Sequence, residues 1–167
     1  MIPVLRTKRL ILRGAVMDDY PAVEAFFKSD RAIGTVGKSD NTADAFRRFA
    51  TFVGHWHLMG FGWWMIEENN QPVGVCGIHH PPQKQHMELG WSLFEDAEGR
   101  GIAFEATTVA LDYAKTFLTP SKLVSYIYDG NIRSERLAQK LGAVRDDQTA
   151  PHNDAVYAWV HPLGTKE

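Results

Sequence analysis

The chain has 167 residues, 44% of them hydrophobic and 23% charged, with a formal net charge of −2. That composition fits one globular domain with a full core and excludes a disordered, coiled-coil or collagen-like chain. No Lys/Arg block stands out, which argues against a nucleic-acid partner, since phosphate binding needs clustered positive charge. Cys76 is the single cysteine, leaving no intrachain disulfide and no cysteine-based zinc site. The opening MIPVLRTKRL lacks the apolar core of a signal peptide. No apolar run approaches the ~20 residues needed to span a bilayer. A cytoplasmic protein with no membrane partner is expected, as a monomer or homodimer.

Neither repeats nor low-complexity linkers interrupt the chain, so residues 1–167 are expected to form one domain. Thr7–Arg13 is rich in strand formers and ends at Gly14, which predicts a strand. Asp18 is a candidate N-cap for a helix with Pro21 in its first turn and Val23, Phe26 and Phe27 on one face. Asn41 or Thr42 caps a second helix with the stripe Phe46, Phe49, Val53 and Trp56, closed by Gly60. Phe61–Glu68 and Val73–His79 read as strands joined by the polar turn Asn69-Asn70-Gln71-Pro72, and Gln85–Phe94 as the next strand. Ile102, Ala106, Val109, Ala110, Tyr113 and Phe117 make an apolar helical stripe that Pro120 stops. Lys122–Tyr128 is a strand, Ile132–Leu141 a helix ended by Gly142, and Ala155–Val160 a final strand, with a further candidate at Ala143–Asp147. The fold class is therefore α/β: a mixed sheet with helices on both faces.

The stretch Glu98-Gly99-Arg100-Gly101-Ile102-Ala103-Phe104-Glu105-Ala106 lies between a strand and the best-defined helix. A helix start carries unpaired N–H groups and a partial positive charge, and glycines before it let the backbone approach a ligand closely. Together these make an anion site suited to phosphates, although a glycine pair before a helix also occurs as a plain tight turn. A dinucleotide fingerprint is excluded because its third glycine is absent, and a P-loop because no GK[ST] follows.

EGRGIAFEA resembles the pyrophosphate loop of the GNAT acetyltransferases, whose pattern is Q/R-x-x-G-x-G/A. Gly101 and Ala103 fill the small positions, while Glu98 stands where Gln or Arg is common. MELGWSLFEDAEGRGIAFEA, the opening TKRLILR, and Asn131-Ile132-Arg133-Ser134 with Lys140-Leu141-Gly142-Ala143 are similar, in order, to the RimJ/RimL-like branch of that family. The resemblance implies a mostly antiparallel, twisted sheet of six or seven strands, splayed at the cofactor site, with about four helices. It also implies acetyl-CoA as cosubstrate, no metal, and a primary amine acceptor, either a small molecule or a protein N-terminus. Gly99, Arg100, Gly101, Ile102, Ala103 and Phe104 would hold the pyrophosphate. The pantetheine arm would pair with the strand edge near Ser92 and Leu93, and Asn131 would bond it from the other side.

Acyl transfer from a thioester needs a neutral amine, a donor for the carbonyl oxygen as it gains charge, and a proton for the departing thiolate. Glu88, which shares a strand face with Gly90 and Ser92, is the candidate base, directly or through water; an exposed strand carboxylate is the plain alternative. His79, His80 and His86 are rivals by virtue of their ordinary titration range. Adjacent His79 and His80 point to opposite faces, and His55 and His57 stand two apart on a helix, so neither pair suits a metal. Ser134 is the candidate acid, since Ala138 stands where many GNAT enzymes carry Tyr; a capping serine is the alternative, and Tyr126 and Tyr128 are other donors. A backbone N–H within Gly90–Leu93, at a bulge, would serve the carbonyl oxygen. Trp56, Trp63, Trp64 and Trp91 read chiefly as core and Cys76 as a buried small hydrophobe. A competing reading is a GNAT-like module that binds acyl-CoA without catalysis, favoured by the missing Tyr and by Glu98.

Overall fold

Residues 1–33, 35–149 and 155–164 are described by a computed structural model. Eight strands form one sheet in the order β1-β2-β3-β4-β5-β6-β8-β7, with ranges β1 Leu5–Arg6, β2 Ile11–Arg13, β3 Trp63–Glu68, β4 Gln71–His79, β5 Met87–Leu93, β6 Leu123–Tyr128, β7 Val144–Asp146 and β8 Val156–Val160. The helices are α1 Tyr20–Lys28, α2 Thr42–Met59, α3 Ile102–Tyr113 and α4 Ile132–Lys140. All pairings are antiparallel except β5 with β6.

The expected strand over Thr7–Arg13 is instead a hairpin, with Leu5 opposite Leu12 and Arg6 opposite Ile11. Thr7 turns the chain: its Oγ accepts from Leu10 N at 2.9 Å, a local side-chain bond that competes with strand pairing. This raises the sheet from six or seven strands to eight. The start of α1 also differs. Asp19, not Asp18, organises it after a 3-10 turn at Met17–Asp19. Its buried carboxylate accepts from Val16 N at 2.9 Å and from both terminal nitrogens of Arg13 at 2.8 Å.

Asn41 caps α2 through its side chain, and Gly60 ends it at φ 76°. Of the expected α2 stripe, Phe49 and Trp56 are buried, while Phe46 and Val53 are exposed; Ala45 and Phe52 complete the buried face. The β3–β4 turn is tighter than expected. Asn69 and Asn70 both take positive φ, as a two-residue hairpin with strand-matched twist requires. Pro72 lies inside β4, opposite Glu67, where the β3–β4 register shifts; a residue without an N–H is tolerated at such an irregularity. The helix opening at Ile102 is α-helical to Tyr113 and then widens to π-type turns over Ala114–Leu118, which turns Phe117 out to solvent.

Alternation along β3 divides the core. Trp64 and Ile66 pack with Ile102, Ala106 and Ala110 of α3. Met65 packs with Val23, Phe26 and Phe27 of α1 and Phe49 and Phe52 of α2. On β6, Leu123 joins the α3 cluster and Ile127 the cluster of Ala138 on α4, so the same-face spacing puts α3 and α4 together. Cys76 is fully buried within the α3 cluster, and burial pushes its thiol pKa far up.

Gly77 marks the tightest crossing. A Cβ there would lie 2.4 Å from Gly62 O and 2.5 Å from Trp63 Cα, both backbone atoms that cannot swing aside. Gly77→Ala is therefore expected to cost about 2 kcal/mol, seen as a Tm lower by roughly 4–8 °C in a chain of this size. An unchanged melting temperature would contradict this packing.

Candidate active site

β5 and β6 are paired over only two positions, Met87 with Leu123 and Glu88 with Val124. Just beyond, Ser125 Oγ donates to Leu89 O at 2.5 Å, a last tie across the gap. From Gly90 onward the β6-facing edge of β5 has no strand partner, while its other edge keeps continuous register with β4 through Leu93. No bulge interrupts that register, so the expected bulged donor within Gly90–Leu93 is replaced by a straight open edge.

The divergence opens a cleft of about 1050 Å³ between the sheet and the helix starts. Ser92, Leu93, Gly99, Gly101, Ile102, Ala103, Phe104 and Asn131 all line it, with Tyr128 and Ser134. Gly99 and Gly101 take φ values of 72° and 76°, the left-handed region open to glycine, and Gly101 is the N-cap of α3 without any side-chain cap. The first amides of α3 therefore keep their capacity for an anion. The loop is braced from outside. Arg9 Nη2 donates to Arg100 O at 2.7 Å, and Arg9 Nε pairs with Glu105 at 2.6 Å. Arg100 does not line the cleft: its guanidinium pairs with the buried Glu68 and its carbonyl accepts from Arg9, which leaves only its backbone N–H for the role expected of it. Glu98 is turned to Arg31 and Arg133, which neutralises a carboxylate otherwise repulsive to phosphate.

Two atoms test whether a phosphorylated, amide-bearing cofactor fits. Ser92 Oγ and Arg31 Nε are buried without a hydrogen-bond partner among the described residues, and both residues line the cleft. Buried polar atoms in native structures are normally paired, and such a cofactor would supply an acceptor for each. The residues present fit it.

A smaller cavity of about 80 Å³ adjoins the cleft, sharing Thr35, Trp91, Tyr128, Asn131 and Ser134 with it. Glu88, Trp63 and Tyr126 form its far wall. The indole of Trp63 lies over Gly90, where a Cβ would stand 2.4 Å from the ring. Glu88 pairs with Lys84 and lies 4.0 Å from His79 Nδ1. Burial alone would raise the Glu88 pKa, but bonds to His79 and Lys84 outweigh it and hold the carboxyl below its ordinary value. Of the rival histidines, only His79 approaches Glu88. His80 Nε2 lies 3.1 Å from Lys84 O, and His86 lines neither cavity. His55 is structural: Nδ1 contacts Phe61 O at 2.6 Å and Nε2 accepts from His80 N at 3.1 Å. Among the described residues no group of three or more His, Cys, Asp or Glu could hold a metal ion.

Ser134 stands in the first turn of α4, and the cap is Asn131, whose Oδ1 accepts from Ser134 N at 3.3 Å. The capping alternative for the Ser134 hydroxyl is thereby removed. Trp56 and Trp64 are core, as expected; Trp63 and Trp91 pack half-buried against the core and also line the smaller cavity. Sequence reasoning missed Arg31, Thr35 and Lys84. Lys84 stands four residues before Glu88, but across a loop and a strand, where that spacing carries no contact signal.

A family model described as "Acetyltransferase (GNAT) domain" matches residues 9–144. The chain belongs to the GNAT acetyltransferase family. It is 26% identical over 175 residues to the uncharacterized N-acetyltransferase YoaA of Bacillus subtilis (strain 168), covering 97% of this chain and 99% of that one. An acetyltransferase structure from Agrobacterium tumefaciens str. C58 superposes with TM-score 0.92 at 34% identity, covering 97% of this chain and 95% of that one. The fold alone is shared with RimL, the ribosomal L7/L12 α-N-protein acetyltransferase, in complex with coenzyme A: TM-score 0.75 at 15% identity, covering 95% and 97% of the two chains. No described helix of this GNAT protein is long and apolar enough to cross a membrane.

Behind the point of divergence lies a buried histidine. Ser125 Oγ, having given its proton to Leu89 O, accepts at 2.8 Å from His161 Nε2, which leaves Nδ1 buried and unpartnered among the described residues. Burial, with a smaller push from Lys115, lowers the His161 pKa to about 4. The unfolded chain, titrating at the ordinary value, then binds more protons than the folded one between about pH 6.5 and pH 4. Stability present above that window is lost as pH falls through it. Urea unfolding at pH 7 and pH 4.5 should show His161→Gln losing about 2 kcal/mol less than wild type over this interval. Equal losses would contradict a buried neutral imidazole.

Proposed function

We propose that this GNAT protein is an acetyl-CoA-dependent N-acetyltransferase of the RimJ/RimL-like branch, acting as one domain on a primary amine of a small molecule or a protein N-terminus. One observation carries the reading. An open strand edge and an uncapped, glycine-flanked helix start face the same cleft, and that cleft leads to a cavity walled by a carboxylate. This is the arrangement a long phosphorylated thioester and a nucleophilic amine would need to meet in line. RimL in its coenzyme A complex supports the cofactor class through its fold, and the N-acetyltransferase description of YoaA supports the acceptor class.

Acetyl-CoA supplies the activated acyl group as a thioester, so no covalent enzyme intermediate is needed. The amides of Gly99–Phe104 bind the diphosphate at the positive end of α3. The exposed edge of β5 at Trp91–Leu93 pairs with the amides of the pantetheine arm, as an added strand would. Asn131 holds the arm from the α4 side. A backbone N–H of the same β5 edge donates to the thioester carbonyl oxygen as charge builds on it. Glu88 is ionised at neutral pH. Because its pKa is lowered and Lys84 pairs with it, it takes the amine proton through an intervening water rather than as a strong direct base. The Ser134 hydroxyl, free of capping duty, would donate to the leaving sulfur and relay to it the proton that the attacking amine releases, so that Ser134 ends protonated.

Acetyl-CoA with a panel of amines and N-terminal peptides should release free thiol, and Gly101→Asp should abolish coenzyme A binding, since it adds both a side chain at positive φ and a negative charge. Tight coenzyme A binding with no thiol release from any amine would favour the non-catalytic acyl-CoA-binding reading, and unchanged affinity in Gly101→Asp would refute the loop assignment. Ser134→Ala should lower kcat by about 10²-fold or more, the usual scale of general acid catalysis, with little change in KM. A pure KM effect would make Ser134 a binding residue.

A further inference from the structure

Three walls of the cleft are joined by one carboxylate. Glu98, in the loop before α3, pairs through one oxygen with Arg31, in the 3-10 turn that follows α1, and through the other with Arg133, in the first turn of α4. All three residues line the cleft. We infer that Arg31 and Arg133 are binding residues for the phosphates of the cofactor, and that Glu98 holds both in the free protein and yields them when the cofactor enters. The inference rests on the cofactor proposed above.

The charges support exchange rather than a fixed tie. Two guanidinium groups around one carboxylate leave a net positive charge at the cleft, and Arg136, also in its wall, has no ion pair among the described residues. The bridge is solvent-screened: the Glu98 side chain is 38% exposed and that of Arg133 is 81% exposed. Ion pairs at such exposure hold weakly. A guanidinium on phosphate gains paired, charge-assisted hydrogen bonds, and a ligand with several phosphates outbids a single carboxylate in number as well as charge. Glu98 is thus a stand-in anion that keeps two cations ordered at the mouth and prevents their mutual repulsion until phosphate replaces it.

Competition for the same guanidinium groups makes the two kinds of substitution act in opposite directions. Coenzyme A binding measured by calorimetry should tighten about tenfold in Glu98→Gln and weaken about tenfold in Arg133→Met and in Arg31→Met, each step near 1.4 kcal/mol. Glu95→Gln removes an exposed carboxylate outside the cleft walls and controls for loss of charge as such; its Kd should move less than twofold. Weaker or unchanged binding in Glu98→Gln overturns the inference and makes the bridge a structural tie. An equal gain in Glu95→Gln overturns it too, leaving only a long-range field. If Gly101→Asp abolishes coenzyme A binding while the arginine variants bind normally, this inference alone fails. If the wild-type protein binds no coenzyme A, the function proposed above fails with it.

Discussion

The whole site depends on the shortness of one pairing. β5 and β6 run parallel and touch over two residue pairs before they part. Had the ladder continued, β5 would be an interior strand with both edges satisfied, and no backbone would be left to recognise a ligand. Because it stops, a strand buried in the middle of an eight-stranded sheet presents main-chain donors and acceptors to a cleft. Unpaired polar backbone in such a place is costly unless water or a ligand completes it. Ser125 and His161 mark the last point where side chains close the gap.

The cleft and the smaller cavity use different chemistry. The cleft relies on backbone: two left-handed glycines, the first turn of α3 and the edge of β5. Side chains around it mostly brace from behind, as Arg9 does on Arg100 O and as Arg100 does on Glu68. The smaller cavity relies on side chains. The tip of the Trp63 indole comes up against Gly90 because Gly90 carries no side chain to exclude it, and Glu88 is set by Lys84 and His79. A backbone site tolerates wide change in sequence while keeping its ligand, whereas a side-chain site changes its ligand with each substitution. This division is why the sequence points to a class of cofactor more sharply than to an acceptor.

Legibility followed the same line. The α3 start, the glycine pair and most elements were evident from capping, periodicity and breakers, because those signals are local. The hairpin at Leu5–Arg13 was missed because Thr7 turns the chain with a single side-chain bond inside a run of good strand formers. Phe46 and Val53 fit the helical period on α2 yet face solvent, since a stripe wider than the contact leaves its margins exposed. Glu98 was legible as an oddity beside the glycine pair, but its partners come from residues 67 and 35 positions away in the chain, Arg31 and Arg133, and no local pattern predicts such encounters. Ser134 as a helix cap gave way to Asn131 for a similar reason: either side chain suits the spacing, and the turn at Tyr128–Asn131 decides which one reaches the amide.

The central claim is that the open edge of β5 and the first turn of α3 are one ligand site created by the divergence from β6. Amide hydrogen exchange with and without coenzyme A tests it most directly. The account predicts slowed exchange together at Trp91–Leu93 and at Gly99–Phe104, with the β3 amides unchanged because their partners are already strands. Protection confined to α1 and α2, or none at either predicted segment at saturating coenzyme A, would contradict it.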